Sequence, residues 1–501
     1  MNSGLLKIIR FRIFSDFSRI RAESVPYERS IPNPSMKGRE FLRGFFPLFF
    51  TFGIAQLTLQ IDLVMLSRLS ETSTIAYIAL MRIAVLDAII MMATGAVTSV
   101  FVSRGRRDGN VEIVVPQMIV ISVLIGVVTA VAGLLFYPHL AALLLDNREL
   151  SGLASDAVFW FSISAPFRMI ACSATFILIA LDHGGLVIVW KCIECLLKIL
   201  LNYVLIFFWA RGFNGCYIAG VIVMLLTSLG SLIVIRTELN LRLCWPKRAW
   251  LRDFVCNIGW EVQRLLSAQI YGLLTLVLFS SSYIVPMKME RLSAVSMGTA
   301  LMLLLSAPLM ALMRSFSQQL AGCSMLVMIS TFNLLCRTGL PPVLGVTAAL
   351  LLRGDWLVKT LYGQLHGRWW SVLLLMLSLS LPLRYFNQLQ RGLLLARMQF
   401  NLVARVDTRI IWLFNFPVIV AGLYFDNPFI AFSQIFVGEL LAMVWMGRGY
   451  LLPFYRISAI GRPRIKKTRR MVSGTGLSPH LAMAVRYSIP LYTLLLPDEA
   501  L

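Results

Sequence analysis

Ser164-Ala165-Pro166-Phe167-Arg168 and Ser380-Leu381-Pro382-Leu383-Arg384 carry serine, proline and arginine at the same spacing in two distant parts of the chain. Both stretches lie inside long apolar segments, where an arginine is expensive and a proline two residues before it is an unusual companion. A second recurrence has nearly the same offset. Ala55-Gln56, Leu63-Val64 and Ser67 return in register as Ala268-Gln269, Leu276-Val277 and Ser280. One match joins a fourth apolar segment to a tenth, the other a first to a seventh. The chain therefore reads as a duplication of a six-segment unit.

Composition sets the environment of that unit. Of 501 residues, 58% are hydrophobic and 14% charged, and the mean hydropathy is +0.78. A soluble globular chain carries about a quarter charged residues, so this one lacks the charge to coat its own surface. Disorder, coiled coil, a secreted disulfide scaffold and an ordinary soluble enzyme are excluded. A helix needs roughly 20 apolar residues to cross a bilayer, and twelve segments qualify, from 44–67 to 428–447. None has the short strict alternation of a membrane barrel strand. The expected fold is all-α and polytopic: twelve transmembrane helices in two six-helix lobes related by a parallel repeat. Residues 1–43 form a basic tail, 44–235 the first lobe, 236–254 a polar linker, 255–447 the second lobe and 448–501 a second basic tail.

Lys and Arg number 46 against 24 acids, a net charge of +22. In a soluble chain this would suggest nucleic acid; here it is a topological signal, and no nucleic acid is expected. Alternate connections and the two tails hold thirty basic residues on one side and eight on the other, which places both termini in the cytoplasm by the positive-inside rule. The tails, above all Arg462-Pro463-Arg464-Ile465-Lys466-Lys467-Thr468-Arg469-Arg470, suit anionic lipid headgroups. Leu5–Ile20 reads as a surface amphipathic helix. The expected location is a bacterial inner membrane, with the chain monomeric.

The stretch from Phe46-Pro47 to Gly109 carries a further pattern: a proline early in the first span, then Gln56, Ile61-Asp62-Leu63-Val64-Met65, a glycine-bearing second span, and Val102-Ser103-Arg104-Gly105. This resembles the multidrug and toxic compound extrusion (MATE) family, as a divergent member. The resemblance implies two six-helix bundles around a V-shaped cleft and export driven by inward H⁺ or Na⁺. It also implies that Asp62 belongs to the cation-coupling site. Acidic positions of the second half in that family fall here on Gln269 and on the Phe386-Asn387-Gln388 region, so any coupling would rest on the first half.

An ionised side chain deep in a bilayer costs at least ~3 kcal/mol on insertion scales, so each needs a partner or a purpose. Asp62, about six residues beyond the middle of its span, suits a coupling carboxylate or a structural one bonded to Thr58 or Ser67. Asp87 lies near the centre of the second span; Arg82, five residues earlier, is on the wrong face to pair with it. Lys191, Glu194 and Lys198 share one face of the fifth span, with Glu194 and Lys198 in the favourable order for an i,i+4 pair. Asp62, Asp87 and Glu194 are thus the candidate coupling groups. Arg168 and Arg384 either face each other across a cleft or brace their own lobes against Asp62, Asp87 or Glu439. With Lys198, Gln56, Gln269 and Asn387 they form the candidate substrate lining, and arginines there would favour an anionic or zwitterionic substrate.

Cys192-x-x-Cys195 has no second pair and reads as buried small side chains. No metal or organic cofactor is expected beyond the coupling ion. No phosphate-binding glycine-rich loop and no catalytic set is present, so neither ATP hydrolysis nor an enzyme is expected. The leading expectation is a secondary transporter exporting a small organic compound or secondary metabolite by H⁺ or Na⁺ antiport. The alternative is a flippase for an anionic lipid-linked precursor.

Overall fold

The computed structural model describes residues 38–144, 148–239, 245–246, 248–280, 289–362 and 367–460. The expected surface helix at 5–20 and the basic run at 462–470 lie outside these. Twelve helical spans follow one another: α1 (Gly38–Ser67), α2 (Glu71–Arg107), α3 (Val111–Leu144), α4 (Arg148–Ile163 with Ala165–Ala180), α5 (Gly184–Tyr203 continued by a wide turn Val204–Phe208) and α6 (Gly212–Glu238). Then come α7 (Arg248–Ser280), α8 (Met289–Leu320), α9 (Met325–Tyr362), α10 (Arg368–Ala396), α11 (Phe400–Ile410, wide turn Ile411–Asn415, Phe416–Tyr424) and α12 (Pro428–Ile460). No strand occurs among the described residues. Among the described residues ten helices are long and apolar enough to cross a membrane, and α4, bent by 45° just before Pro166, is an eleventh if its two parts are one span. The remaining span, α5, matches them in length but carries Lys191, Glu194 and Lys198.

Several helix ends differ from the sequence expectation. α6 runs to Glu238 and α7 begins at Arg248, so helix takes up both ends of the polar linker. The eleventh span starts at Phe400 rather than 409, because its first three turns are amphipathic and pack their apolar side inward. Arg391, which the count of basic residues in the connections assigns to the loop after the tenth span, lies inside α10 and is 8% exposed.

The repeat is written into the backbone as well as the side chains. Helices often end on a residue in the left-handed region, and these positions recur at the sequence offsets. Gly109 (φ 73°) after α2 answers Gly322 (φ 77°) after α8, in the register of the Ala-Gln match. Asp182 (φ 66°) answers Met398 (φ 62°), and Ala210 (φ 49°) answers Asp426 (φ 46°), both in the register of the Ser-x-Pro-x-Arg match. Side-chain-bearing residues rarely adopt this conformation, so its repetition reflects the same turn used twice. Close approaches repeat too. A Cβ on Gly126 of α3 would meet the Pro166 backbone at 2.5 Å, and one on its repeat equivalent, Gly339 of α9, would strike the Tyr385 ring and hydroxyl.

Taking the end where α1 starts as the near end, the two lobes are joined there. Phe41 of α1 packs edge-on against Phe316 of α8, ring centroids 6.4 Å apart. Gln319 of α8 donates to the Phe41 carbonyl at 3.0 Å, and Arg107 of α2 reaches the Gln319 carbonyl. Phe101 of α2 meets Trp250 and Phe254 of α7 at 5.6 and 5.3 Å. The pairs α1 with α8 and α2 with α7 exchange roles under the repeat. Leu48, Val97, Phe254, Met313 and Leu395 belong to one continuous apolar core crossing both lobes at this end. Towards the far end the core divides. Leu66, Tyr77, Ile206 and Phe213 form a cluster in the first lobe, and Phe279, Trp369, Leu423 and Phe432 form another in the second. The lobes thus share a core at one end and keep separate cores at the other.

Replacing Gly126 by Leu is expected to force α3 off α4, at a cost of about 1–3 kcal/mol for overpacking. Thermal unfolding of the detergent-solubilised protein should show a lowered midpoint for Gly126→Leu. Gly53→Ala, whose Cβ meets nothing within 4 Å, should leave it in place. Equal midpoints would contradict the packing described.

Candidate functional site

In the first lobe the buried charges fall into separate pairs. Asp87 of α2, 2% exposed, receives the Nε and Nη2 of Arg168 on one carboxylate oxygen at 3.0 and 2.7 Å. Arg168 Nη1 donates to the Phe161 carbonyl at 2.6 Å and to Ser164 Oγ. The kink at Pro166 supplies these acceptors: proline has no N–H, and the bend turns carbonyls and a hydroxyl of the preceding turn towards the guanidinium. The Arg168 guanidinium also lies 3.8 Å from the Phe161 ring centroid. Arg168 is therefore engaged inside its own lobe.

Asp62, 7% exposed, lies near the far end of α1 in a pocket made with α2, α5 and α6. Asn202 of α5 donates to its Oδ1 at 2.6 Å, and Lys198 Nζ stands 3.6 Å from the same oxygen. Lys198, 8% exposed, donates to the Cys216 carbonyl of α6 at 2.7 Å. The Tyr77 phenol of α2 is buried beside the carboxylate. The hydroxyls expected as structural partners turn elsewhere, Thr58 to the Ile54 carbonyl and Ser67 to the Val64 carbonyl. The α5 triad divides differently from its sequence reading. Glu194 pairs with Lys191 at 2.8 Å, because Lys198 points into the lobe, where the Asp62 carboxylate and the Cys216 carbonyl await it.

The second lobe has a continuous ladder instead of pairs. Arg314 of α8 reaches Glu261 of α7 at 2.5 Å, and Glu261 also accepts from Arg264 at 2.6 Å. Arg264 stands 3.7 Å from Asp407 of α11, which Arg391 of α10 grips at 2.9 Å. Arg391 lies 3.8 Å from Glu439 of α12, and Asn387 donates to Glu439 at 2.7 Å. Arg384 closes the series 3.7 Å from Glu439, with its Nε making no hydrogen bond. Four arginines alternate with three acids, from the near end to mid-depth. Arg384 therefore meets Glu439 within its own lobe and does not face Arg168.

The repeat relates these arrangements unevenly. Arg168 and Arg384 are equivalent, yet one takes its acid from α2 and the other from α12. At the offsets fixed by the turns, Asp62 corresponds to Thr275, Lys198 to Phe414 and Asn202 to Val418, so the Asp62 pocket has no counterpart. Conversely Glu261, Arg314 and Arg391 correspond to Leu48, Phe101 and Thr175. Gln56 and Gln269 are exposed at matching places on α1 and α7. No cluster of three metal-ligating side chains occurs among the described residues.

Sequence reasoning missed Glu261, Arg264, Arg314 and Asp407. Glu261 and Arg264 were findable, since a spacing of three inside one span is an ion-pair signal; Asp407 was hidden by the late start assigned to its span. Glu261 is 0% exposed, and removing one member of a buried ion cluster costs about 3–5 kcal/mol by stranding its partners. Glu261→Gln should lower the unfolding midpoint far more than exposed Asp253→Asn, expected to cost less than about 0.5 kcal/mol. Comparable midpoints would remove the ladder from the account of stability.

A model of the MatE family matches residues 47–204. No curated protein matches the chain. Solved structures share its fold. A structure described as MATE in the bent conformation is 17% identical, covers 85% of this chain and 98% of its own, and has a TM-score of 0.72. The Vibrio cholerae MATE transporter VcmN in its bent form is 15% identical, with 84% and 98% coverage and a TM-score of 0.74. A Pyrococcus furiosus transporter of the MOP superfamily, described as having a binding pocket of reverse polarity, is 14% identical, with 84% and 96% coverage and a TM-score of 0.69. Residues 47–204 match the MatE family model, and the chain as a whole is a polytopic membrane protein with the fold of the MATE transporters.

Proposed function

We propose that the chain is a secondary active transporter that exports a small organic compound by antiport with H⁺ or Na⁺, the two lobes opening the cleft alternately to each side. The observation that carries this reading is the buried Asp62 with Asn202 and Lys198, placed where the lobes have separate cores. The near end, where the cores merge, is the side favoured by the basic residues and hence the cytoplasmic one; the cleft then opens outward. A carboxylate at that depth becomes cheaper to bury once protonated or ion-bound. Helix α1 carries Asp62 and also packs on α8 of the other lobe, so a change at the carboxylate bears on the joint between lobes. Asp87 and Glu194 already have tight partners and serve as structural charges in this reading.

One observation favours the flippase for an anionic lipid-linked precursor as a second reading. The ladder of the second lobe holds one more arginine than it has acids, and its last member, Arg384 at mid-depth, stands 3.7 Å from Glu439 with its Nε making no hydrogen bond. A guanidinium held this loosely, in a ladder with one cation in excess, suits a phosphate or carboxylate better than an organic cation.

Proteoliposomes with imposed pH or Na⁺ gradients test both, using fluorescent organic cations, zwitterions and anions of similar size. For the exporter, Asp62→Asn should cut gradient-driven transport at least about tenfold, roughly 1.4 kcal/mol or more of coupling. Transport that survives Asp62→Asn but is lost in Arg384→Gln would remove Asp62 from coupling and favour the flippase.

A further inference from the structure

We propose that the ε-ammonium of Lys198 is the resident cation of the Asp62 pocket: it excludes alkali-metal ions and makes the proton the only ion able to discharge Asp62. This rests on the reading of Asp62 as the coupling carboxylate and narrows its ion.

The pocket is built as a cation site. Its oxygens are the Asp62 carboxylate, the Cys216 carbonyl and Asn202 Oδ1, the last buried without a hydrogen-bond partner. Hard cations are held by such sets of carboxylate, carbonyl and amide oxygens. Here Lys198 Nζ sits among them, 2.7 Å from the Cys216 carbonyl and 3.6 Å from Asp62. The other titratable groups around Asp62 are Tyr77 from α2 and Cys216 and Tyr217 from α6. All three are neutral in their ordinary state, so the ammonium is the counter-charge of Asp62.

A metal ion entering this pocket would meet a fixed like charge within a few ångströms and would compete with the ammonium for the Cys216 carbonyl and the Asp62 carboxylate. A proton needs no such displacement. It adds to a carboxylate oxygen, turning Asp62 into the neutral acid, and the pocket gains one positive charge. The attraction between Asp62 on α1 and Lys198 on α5 is lost in that step, freeing the two helices from their ionic tie. The second lobe has Thr275, Phe414 and Val418 at the corresponding places, so the arrangement is confined to the first lobe.

The test uses the full-length purified protein in detergent, melted at fixed pH in NaCl or in choline chloride of equal ionic strength. Wild type is expected to melt alike in both salts. Lys198→Ala should gain a saturable Na⁺-specific rise in midpoint, absent again in Lys198→Ala/Asp62→Asn, and Lys198→Arg should remain indifferent. A saturable Na⁺ rise in wild type, or none in Lys198→Ala, overturns the proposal. Should Lys198→Ala fail to fold, wild-type proteoliposomes decide: transport driven by a Na⁺ gradient at equal pH overturns it, and transport driven by a pH gradient alone upholds it. Asp62→Asn with undiminished transport would instead sink the coupling role of Asp62, a result separate from the Na⁺ melts.

Discussion

Hydrocarbon offers an ionised side chain no solvent, so each charge placed inside this bundle must be met by an opposite charge or a hydrogen bond from another helix. That constraint organises the interior. Arg168 binds α4 to α2 through Asp87, Asp62 binds α1 to α5, and the ladder from Arg314 to Arg384 links α7, α8, α10, α11 and α12. Apolar packing between helices gains little in lipid, because the tails are as apolar as the side chains they replace. Polar ties and close approaches such as Gly126 on Pro166 therefore decide which helices sit together.

The two lobes show how far one backbone plan tolerates different chemistry. The left-handed turns at Gly109 and Gly322, Asp182 and Met398, Ala210 and Asp426 keep the offsets of the sequence matches. The near-end interior of the first lobe is apolar, with Leu48 and Phe101 in the shared core. At the matching depth the second lobe buries Glu261 and Arg314. Such a substitution is tolerable only as a set, since one member alone would strand a charge. The repeated arginine illustrates the same freedom: its position is kept, while its acid moves from α2 to α12.

This explains what the sequence could and could not reveal. Long apolar segments and the Ser-x-Pro-x-Arg recurrence are local features, so twelve spans and the parallel repeat were legible from residues alone. Pairing is not local. Lys198 follows Glu194 at the favourable helical spacing, yet its partners lie on α1 and α6, far away in sequence. Arg391 near a helix end looks like a topological charge until α11 brings Asp407 against it. Glu261 with Arg264 was the exception, a within-helix pair whose spacing was visible. What the sequence carried about Asp62 came through its family likeness; the Asn202 and Lys198 around it emerge only when α5 folds against α1.

The contrast between the lobes also bears on which of them can move. In the ladder a change of charge at any one group is shared among its neighbours, and five of the six helices are tied to it. Such a lobe resists rearrangement by a single proton. In the first lobe each pair is separate, and Asp62 with Asn202 and Lys198 joins α1 to α5, with Lys198 also bonded to the Cys216 carbonyl of α6. In the proposed cycle, discharging that one carboxylate releases one helix without disturbing Asp87 and Arg168. The helix released is α1, which carries Phe41 and the near-end contact with α8. A local event at the far end of α1 is thereby connected along a single helix to the joint where the lobes share their core. In the proposed antiport cycle the second lobe is the frame against which α1 shifts.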